Sequence, residues 1–272
     1  MTTQLSEPEI TTKMDYQLIK IEQDGAVATL TINRPEALNA LNARMIEEMQ
    51  HYLRSVWYDD ELRVIIVTGE GKAFISGADI AELSTMDVPA GIKKSAVGQH
   101  TMKSFENIPK VTIAAINGFC FGGGMELALA CDIRLASEKA RMGLPEVKLG
   151  IIPGYGGTQR LARLVGAGRA KQMVFTGEFY RADKCHEYGI VQEVYPEGEL
   201  LSKAREMALV IASRGPLAVA AAKECINRGL DMPLSNGCDF EKINFGSIAA
   251  SEDMHEGLTA FLEKREPVFM NK

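Results

Sequence analysis

Hydrophobic and polar positions alternate over residues 16–21 and again over 26–32, on either side of Asp24-Gly25. Period-two alternation predicts strands with one buried face, and an Asp-Gly pair between them predicts a tight hairpin. A loop over 33–39 follows, punctuated by Asn33, Pro35 and Asn39, and Asn42 is placed to cap what comes next. Between 43 and 57 the apolar residues Ile46, Met49, Leu53 and Trp57 recur at helical spacing. Residues 63–68 and 111–116 are short β-branched runs, which predict buried strands, and 133–136 predicts a third. Residues 83–108 read as irregular, interrupted by Pro89, Gly91 and Gly98, with helix only near 94–105. A glycine run opens a predicted helix at 123–131. Beyond Thr158 the spacing is mainly helical: 160–164, 167–175, 200–213, 216–228 and 241–264. The repeating order of strand, loop and helix predicts an α/β core with crossovers rather than a sandwich.

The bulk numbers narrow the function classes. A chain of 272 residues with 46% hydrophobic content can bury a sizeable core, and a net charge of −6 opposes bulk attraction to nucleic acid or an anionic membrane. The five cysteines (Cys120, Cys131, Cys185, Cys225, Cys238) are scattered without a C-x-x-C spacing, the pattern of reduced, cytoplasmic thiols. The four histidines lie far apart, which argues against a histidine-built metal site. Residues 1–13 are polar, lack the apolar stretch of a secretory signal, and are expected to form a disordered leader. No apolar run reaches the roughly 20 residues of a membrane span. The expectation is a soluble cytoplasmic protein.

The chemistry concentrates between Asn117 and Gln159. Glu126 follows Gly122-Gly123-Gly124-Met125 and opens an apolar helical segment. Glu146 sits in Gly143-Leu144-Pro145-Glu146, shortly before the turn Pro153-Gly154-Tyr155-Gly156-Gly157. Two carboxylates beside exposed backbone amides suit acid/base work on a carbonyl compound. Read singly, each glutamate also fits a helix-dipole role, Asp79 a helix cap, and Tyr155 a packing residue. Gly154, Gly156 and Gly157 read first as turn formers.

Taken together, Asn33-Arg34-Pro35 with Ala37-Leu38-Asn39-Ala40-Leu41, Gly77-Ala78-Asp79-Ile80, Gly122-Gly123-Gly124-Met125-Glu126-Leu127 and Pro153-Gly154 with Gly156-Gly157-Thr158-Gln159-Arg160-Leu161 resemble the crotonase (enoyl-CoA hydratase/isomerase) superfamily. The similarity runs from about Tyr16 to the C-terminus. With both glutamates present, the chain most resembles the bacterial short-chain enoyl-CoA hydratases. The resemblance implies a crotonase-like spiral of repeated ββα units over 14–200, a C-terminal helical trimerisation region over 201–272, and a homohexamer built as a dimer of trimers. It implies an acyl-CoA thioester substrate and service in β-oxidation or a short-chain fermentative route. Neither a metal nor a separate cofactor is implied, since coenzyme A enters with the substrate; nucleic acid and membrane are not expected partners. By position, Glu126 and Glu146 are the implied catalytic pair, and Ala78 and Gly123 the backbone oxyanion hole. Ala37, Leu38, Gly77, Ala78, Asp79, Ile80, Ala81, Gly122, Pro153, Gly154 and Tyr155 are the implied substrate and CoA contacts. Phe261 and Lys264 match positions that in relatives reach a CoA on a neighbouring subunit. Two departures stand out: Leu144, where many hydratases carry glutamine, and Ala81, where relatives often carry a basic residue near the CoA phosphates.

Negative charge builds on the thioester oxygen as water adds, and fixed backbone donors stabilise it without reorganising. One carboxylate must activate the water while the other exchanges the proton at Cα; Glu126 is assigned the first task and Glu146 the second. An isomerase of the same family needs one base and commonly lacks the first glutamate. An RNA-binding relative would want a lysine-rich face, and the basic clusters here are only Lys93-Lys94 and Lys264-Arg265.

Overall fold

The computed structural model describes residues 14–272, and the expected leader at 1–13 lies outside them. β1 (Ile19–Asp24) and β2 (Val27–Ile32) pair antiparallel with Asp24 opposite Val27, which is the expected hairpin. The first strand starts later than alternation suggested, because the N–H groups of Gln17 and Leu18 are taken by the buried carboxylate of Glu48. Glu48 belongs to α1 (Ala43–Ser55), where the Asn42 side chain caps the Met45 N–H at 2.9 Å and Met45, Ile46, Met49, Tyr52 and Leu53 are buried.

The chain then runs through β3 (Val64–Gly69), β4 (Ala73–Ile75), α2 (Ile80–Leu83), α3 (Val88–Asn107), β5 (Val111–Ile116), β6 (Phe119–Phe121), α4 (Gly123–Ala130), β7 (Ile133–Ser137) and β8 (Arg141–Gly143). It continues with α5 (Gly157–Val165), α6 (Ala167–Thr176), β9 (Tyr180–Arg181), α7 (Ala182–Glu187), β10 (Glu193–Tyr195) and α8 (Leu200–Ala212). It ends with α9 (Pro216–Gly229), α10 (Leu234–Ile248) and α11 (Glu252–Glu263).

The strands form a six-stranded sheet, order β1-β2-β3-β5-β7-β10, and a four-stranded sheet, order β4-β6-β8-β9. Apart from the hairpin and the β8/β9 pair, neighbouring strands are parallel. Each successive pair β3/β4, β5/β6 and β7/β8 gives one strand to each sheet, so the chain spirals between them. Period two explains why the long strands are apolar on both faces: Ile65 and Val67 enter the core shared with α1 and α4, while Val64 and Ile66 pack with Leu200, Ala204 and Ala208 of α8.

One reading of the helices needs correction. The segment over 83–108 is regular helix from Val88 onward, because Pro89 occupies the first turn, where its missing N–H costs nothing, and the Asp87 side chain caps the Ala90 N–H at 2.9 Å. Gly98 is inside that helix because the Tyr155 ring lies against it; a Cβ there would fall 2.0 Å from the ring. The helical stretch expected at 241–264 is divided between α10 and α11, with the Ser251 side chain capping the Met254 N–H at 3.1 Å where the second begins. α9 and α10 bury none of their own residues; Ile226, Ile243 and Phe245 are exposed on them, as are Leu230 just past the end of α9 and Leu258, Phe261 and Leu262 on α11.

Candidate active site

A cavity of about 1180 Å³ opens between α2, α3, the start of α4 and the segment 145–159. Ala37, Gly77, Ala78, Asp79, Ile80, Gly122, Gly123, Glu126, Glu146, Pro153, Gly154 and Tyr155 all line it. Leu38, Ala81, Phe261 and Lys264 are not among its lining residues, and Phe261 stands 80% exposed on α11.

Local backbone chemistry builds each wall. After a 3₁₀ turn at Pro35–Ala37, Leu38 and Asn39 adopt left-handed φ of 49° and 60°. The Asn39 side chain supports that turn by donating to the carbonyls of Glu70 and Ala73 and accepting from the Arg34 N–H. The chain can then lie beside residues 76–79: Leu41 N–H donates to Gly77 O and Asp79 N–H to Leu41 O, both at 2.8 Å. In that parallel bridge both neighbours of Ala78 are engaged, and the N–H of Ala78 itself points to the other side. Gly123 is the first residue of α4, so its N–H lacks an acceptor within the helix. Gly122 before it has φ of 51°, and a Cβ there would sit 3.1 Å from Glu146 Oε1.

The two carboxylates are buried, Glu126 at 2% and Glu146 at 8% exposure, and their surroundings differ. Glu126 Oε1 accepts the N–H groups of Tyr155 at 2.7 Å and Gly157 at 2.8 Å. Burial pushes its carboxyl up to about 6, while those two donors and the Arg160 charge pull it back. Glu146 stands in a 3₁₀ turn, Glu146–Leu149, with no hydrogen-bond partner for Oε2 among the described residues. Burial, opposed by a bond to its own backbone and reinforced by the charge of Glu126, pushes it up to about 7. Near neutral pH the arrangement therefore holds one carboxylate mainly as acceptor and one carboxyl able to donate. The Tyr155 hydroxyl is also buried without a partner among the described residues, and burial pushes it up to about 12.

Sequence reasoning missed much of the lining. Arg34 pairs with Asp79 at 2.8 Å and Lys94 with Glu82 at 2.5 Å; Arg34, Asp79 and Lys94 line the cavity. Basic charge at the cavity thus comes from Arg34 and Lys94 rather than from position 81. Met86, Ile92, Leu149, Ile151 and Ile152 add an apolar stretch. The only available signals were the Asn33-Arg34-Pro35 motif and the Lys93-Lys94 pair, and neither showed which side chain would face the cavity. Leu144, the other departure, is fully buried in the core and outside the lining. Among the described residues no cluster of His, Cys, Asp and Glu is disposed to hold a metal ion.

The family model for enoyl-CoA hydratase/isomerase matches residues 22–272. A short-chain-enoyl-CoA hydratase of Clostridium acetobutylicum is 44% identical over 254 residues, 93% of this chain and 97% of that protein. A crotonyl-CoA hydratase of Syntrophomonas wolfei is 42% identical over 260 residues, 95% of this chain and all (100%) of that protein. Among solved structures, an enoyl-CoA hydratase from Bacillus anthracis superposes with a TM-score of 0.91 at 42% identity, covering 94% of this chain and 100% of that one.

Proposed function

This chain belongs to the enoyl-CoA hydratase/isomerase family, and we propose that it is an enoyl-CoA hydratase that adds water reversibly across a trans-2-enoyl-CoA to give a 3-hydroxyacyl-CoA. The observation that carries the reading is the pair of buried carboxyls on one cavity, unequal in hydrogen bonding and in pKa. Hydration needs a base for water and a donor for Cα, whereas isomerisation needs a single proton shuttle.

The thioester carbonyl oxygen rests between the Ala78 and Gly123 N–H groups, whose dipoles meet the enolate charge as it forms. Glu126, kept ionised by the Tyr155 and Gly157 N–H groups, takes the proton from water as its oxygen attacks Cβ. Glu146, protonated through its free Oε2, delivers a proton to Cα. Ala37 and the residues from Gly77 to Ile80 flank the CoA arm, with Arg34 and Lys94 exchanging their carboxylate partners for its phosphates. The mechanism asks for no metal and no redox cofactor.

Short-chain acyl groups are the proposed substrates, from the likeness to the short-chain and crotonyl-CoA hydratases. The proposed assembly is a homohexamer in which the apolar faces of α9 to α11 meet neighbouring subunits, bringing Phe261 and Lys264 toward a partner's CoA. Residence in the cytoplasm fits the free cysteines, and no helix among the described residues is long and apolar enough to cross a membrane.

Loss of the conjugated enoyl-thioester ultraviolet absorbance with crotonyl-CoA tests the reading. Rapid loss with the wild type and none with Glu126→Gln is the expected result. No loss with either, across a series of 2-enoyl thioesters, overturns it.

A further inference from the structure

The Tyr155–Gly157 backbone that donates to Glu126 is itself gripped from behind. The Arg160 guanidinium, on α5, donates from Nη1 to the Tyr155 carbonyl at 3.1 Å. Its other two nitrogens form a fork on Glu106 of α3, Nη2 to Oε2 at 2.8 Å and Nε to Oε1 at 3.2 Å. Gly156 lies directly under the guanidinium: its φ is 103°, and a Cβ there would fall 2.3 Å from Nη1. Glu106 is fixed in turn, since its carbonyl accepts from the Asn227 side chain of α9 at 3.1 Å. A continuous chain of contacts thus runs from α9 through α3 and α5 to the Tyr155 carbonyl, and through the Tyr155 N–H to Glu126.

We propose that Arg160, oriented by Glu106, is a positioning residue that holds the Tyr155–Gly157 turn so that both of its N–H groups converge on Glu126 Oε1. A planar fork bonded on both edges fixes direction as well as distance, which an ammonium on a flexible stem cannot do. The side chains of Arg160 and Glu106 are only 18% and 34% exposed, so water screens the pair incompletely. The charged and titratable groups around Glu126 are few. Arg160 approaches from α5, with Glu106 of α3 behind it. Glu146 and the Tyr155 phenol face it across the cavity, with Glu82 and Lys94 further out. β4 brings no titratable group, and β6 brings only the buried thiol of Cys120. Among the described residues Arg160 is therefore the one cation joined to the turn that grips Glu126. Its removal takes away a positive charge and loosens two donors, and both changes favour the protonated carboxyl.

The role in catalysis rests on the hydratase reading, but its first test does not. Carboxyl carbons of the intact protein labelled with ¹³C-glutamate are titrated by NMR, with Glu126 assigned by its loss in Glu126→Gln. In Arg160→Gln the Glu126 titration moves to higher pH by about one unit, and in Arg160→Lys by less. An unchanged Glu126 titration in folded Arg160→Gln overturns the proposal whether or not the protein hydrates crotonyl-CoA. If the wild type is active, kcat of Arg160→Gln falls about 10- to 100-fold and the acid limb of its pH profile moves up with the NMR value. A lower kcat with an unmoved limb marks a merely structural role and overturns it. Should Arg160→Gln fail to fold, Glu106→Gln keeps the arginine but removes its orienting partner: kcat drops severalfold at unchanged KM, and wild-type kcat in that variant is the opposing result.

Discussion

The spiral core and the C-terminal helices solve the burial of apolar surface in opposite ways. In the core the apolar faces of the long strands have partners within the chain: the two faces of β3 are covered by α1 and α4 on one side and α8 on the other. Even its buried charges are answered internally, as when Glu48 accepts the N–H groups of Gln17, Leu18 and Ile19. α9 and α10 bury no residue and display Ile226, Ile243 and Phe245 to solvent. They are nonetheless fastened to the core through Lys223, whose ammonium donates to Asp132 at 2.8 Å and to the Lys110 carbonyl at 2.8 Å. The lesson is a division of labour. One region covers its long strands within the chain and carries the candidate active site, while the other leaves apolar side chains exposed, the kind of surface that the proposed assembly would cover.

The largest expected effect cuts into the self-sufficient region at the one buried carboxylate oxygen left without a partner among the described residues. Glu146→Gln keeps the shape of the carboxyl and its buried setting but cannot cycle a proton. Turnover of crotonyl-CoA falls by at least about 10³-fold while circular dichroism stays that of the wild type. Activity within tenfold of the wild type would remove Glu146 from the reaction. The wild-type pH profile of kcat/KM is expected to be a bell, with its acid limb near the Glu126 value of about 6 and its basic limb near the Glu146 value of about 7.

Next in size is the break between the two regions. Replacing Phe245 and Phe261 by glutamate puts charge on the exposed apolar faces without touching the spiral. Sedimentation is expected to shift from an oligomer to a monomer whose secondary structure is unchanged. If the wild type sediments as a monomer at micromolar concentration, the contrast between the regions is wrong.

A smaller effect comes from the same carboxyl that the first prediction removes. Burial lifts Glu146 from an ordinary 4.5 to about 7, so the folded chain binds that proton more tightly than the unfolded one. Stability therefore falls as pH rises from about 4.5 to 7 and is level above, a loss of roughly 3 kcal/mol. Glu146→Gln abolishes that loss. The variant should resist urea better than the wild type at pH 8 and about equally at pH 4.5, and equal denaturation midpoints at pH 8 would contradict the burial argument. The candidate active site is thus the place where the core would give up stability for the proposed chemistry.

The same contrast governs what was legible in the sequence. The hairpin around Asp24-Gly25 and the stripe of α1 follow from periodicity, and strands β3 and β5 from their β-branched runs, since each is long enough to state its own pattern. β4, β6, β8 and β9, of three, three, three and two residues, carry no period and exist because the spiral brings them side by side. α3 was hidden because Pro89 and Gly98 look like breakers until their places, a first turn and a contact with Tyr155, are known. Glu126 and Glu146 stood out through their glycine-rich settings, and the structure places both on one cavity. Lys94, Ile92 and Ile152 did not, because which side of a helix or loop faces a cavity is a tertiary fact. Leu38, Ala81, Phe261 and Lys264, named from the family pattern, stand outside the cavity lining.

The finest test sets one helix cap in each region against the other. Asn42 caps α1 through the Met45 N–H, and Ser251 caps α11 through the Met254 N–H, at 2.9 and 3.1 Å. Substitution of either by alanine leaves one buried or half-buried donor unmet and costs about 1 kcal/mol. The two losses should nevertheless read differently. α1 is closed within its own subunit, so Asn42→Ala lowers Tm by the same few degrees at every protein concentration. α11 carries Phe261 and Leu262 toward the proposed interface, so the deficit of Ser251→Ala should shrink as concentration rises and mass action favours the assembled state. Equal, concentration-independent shifts from both substitutions would mean that α11 is as self-contained as α1, and that its exposed aromatic face does not serve assembly.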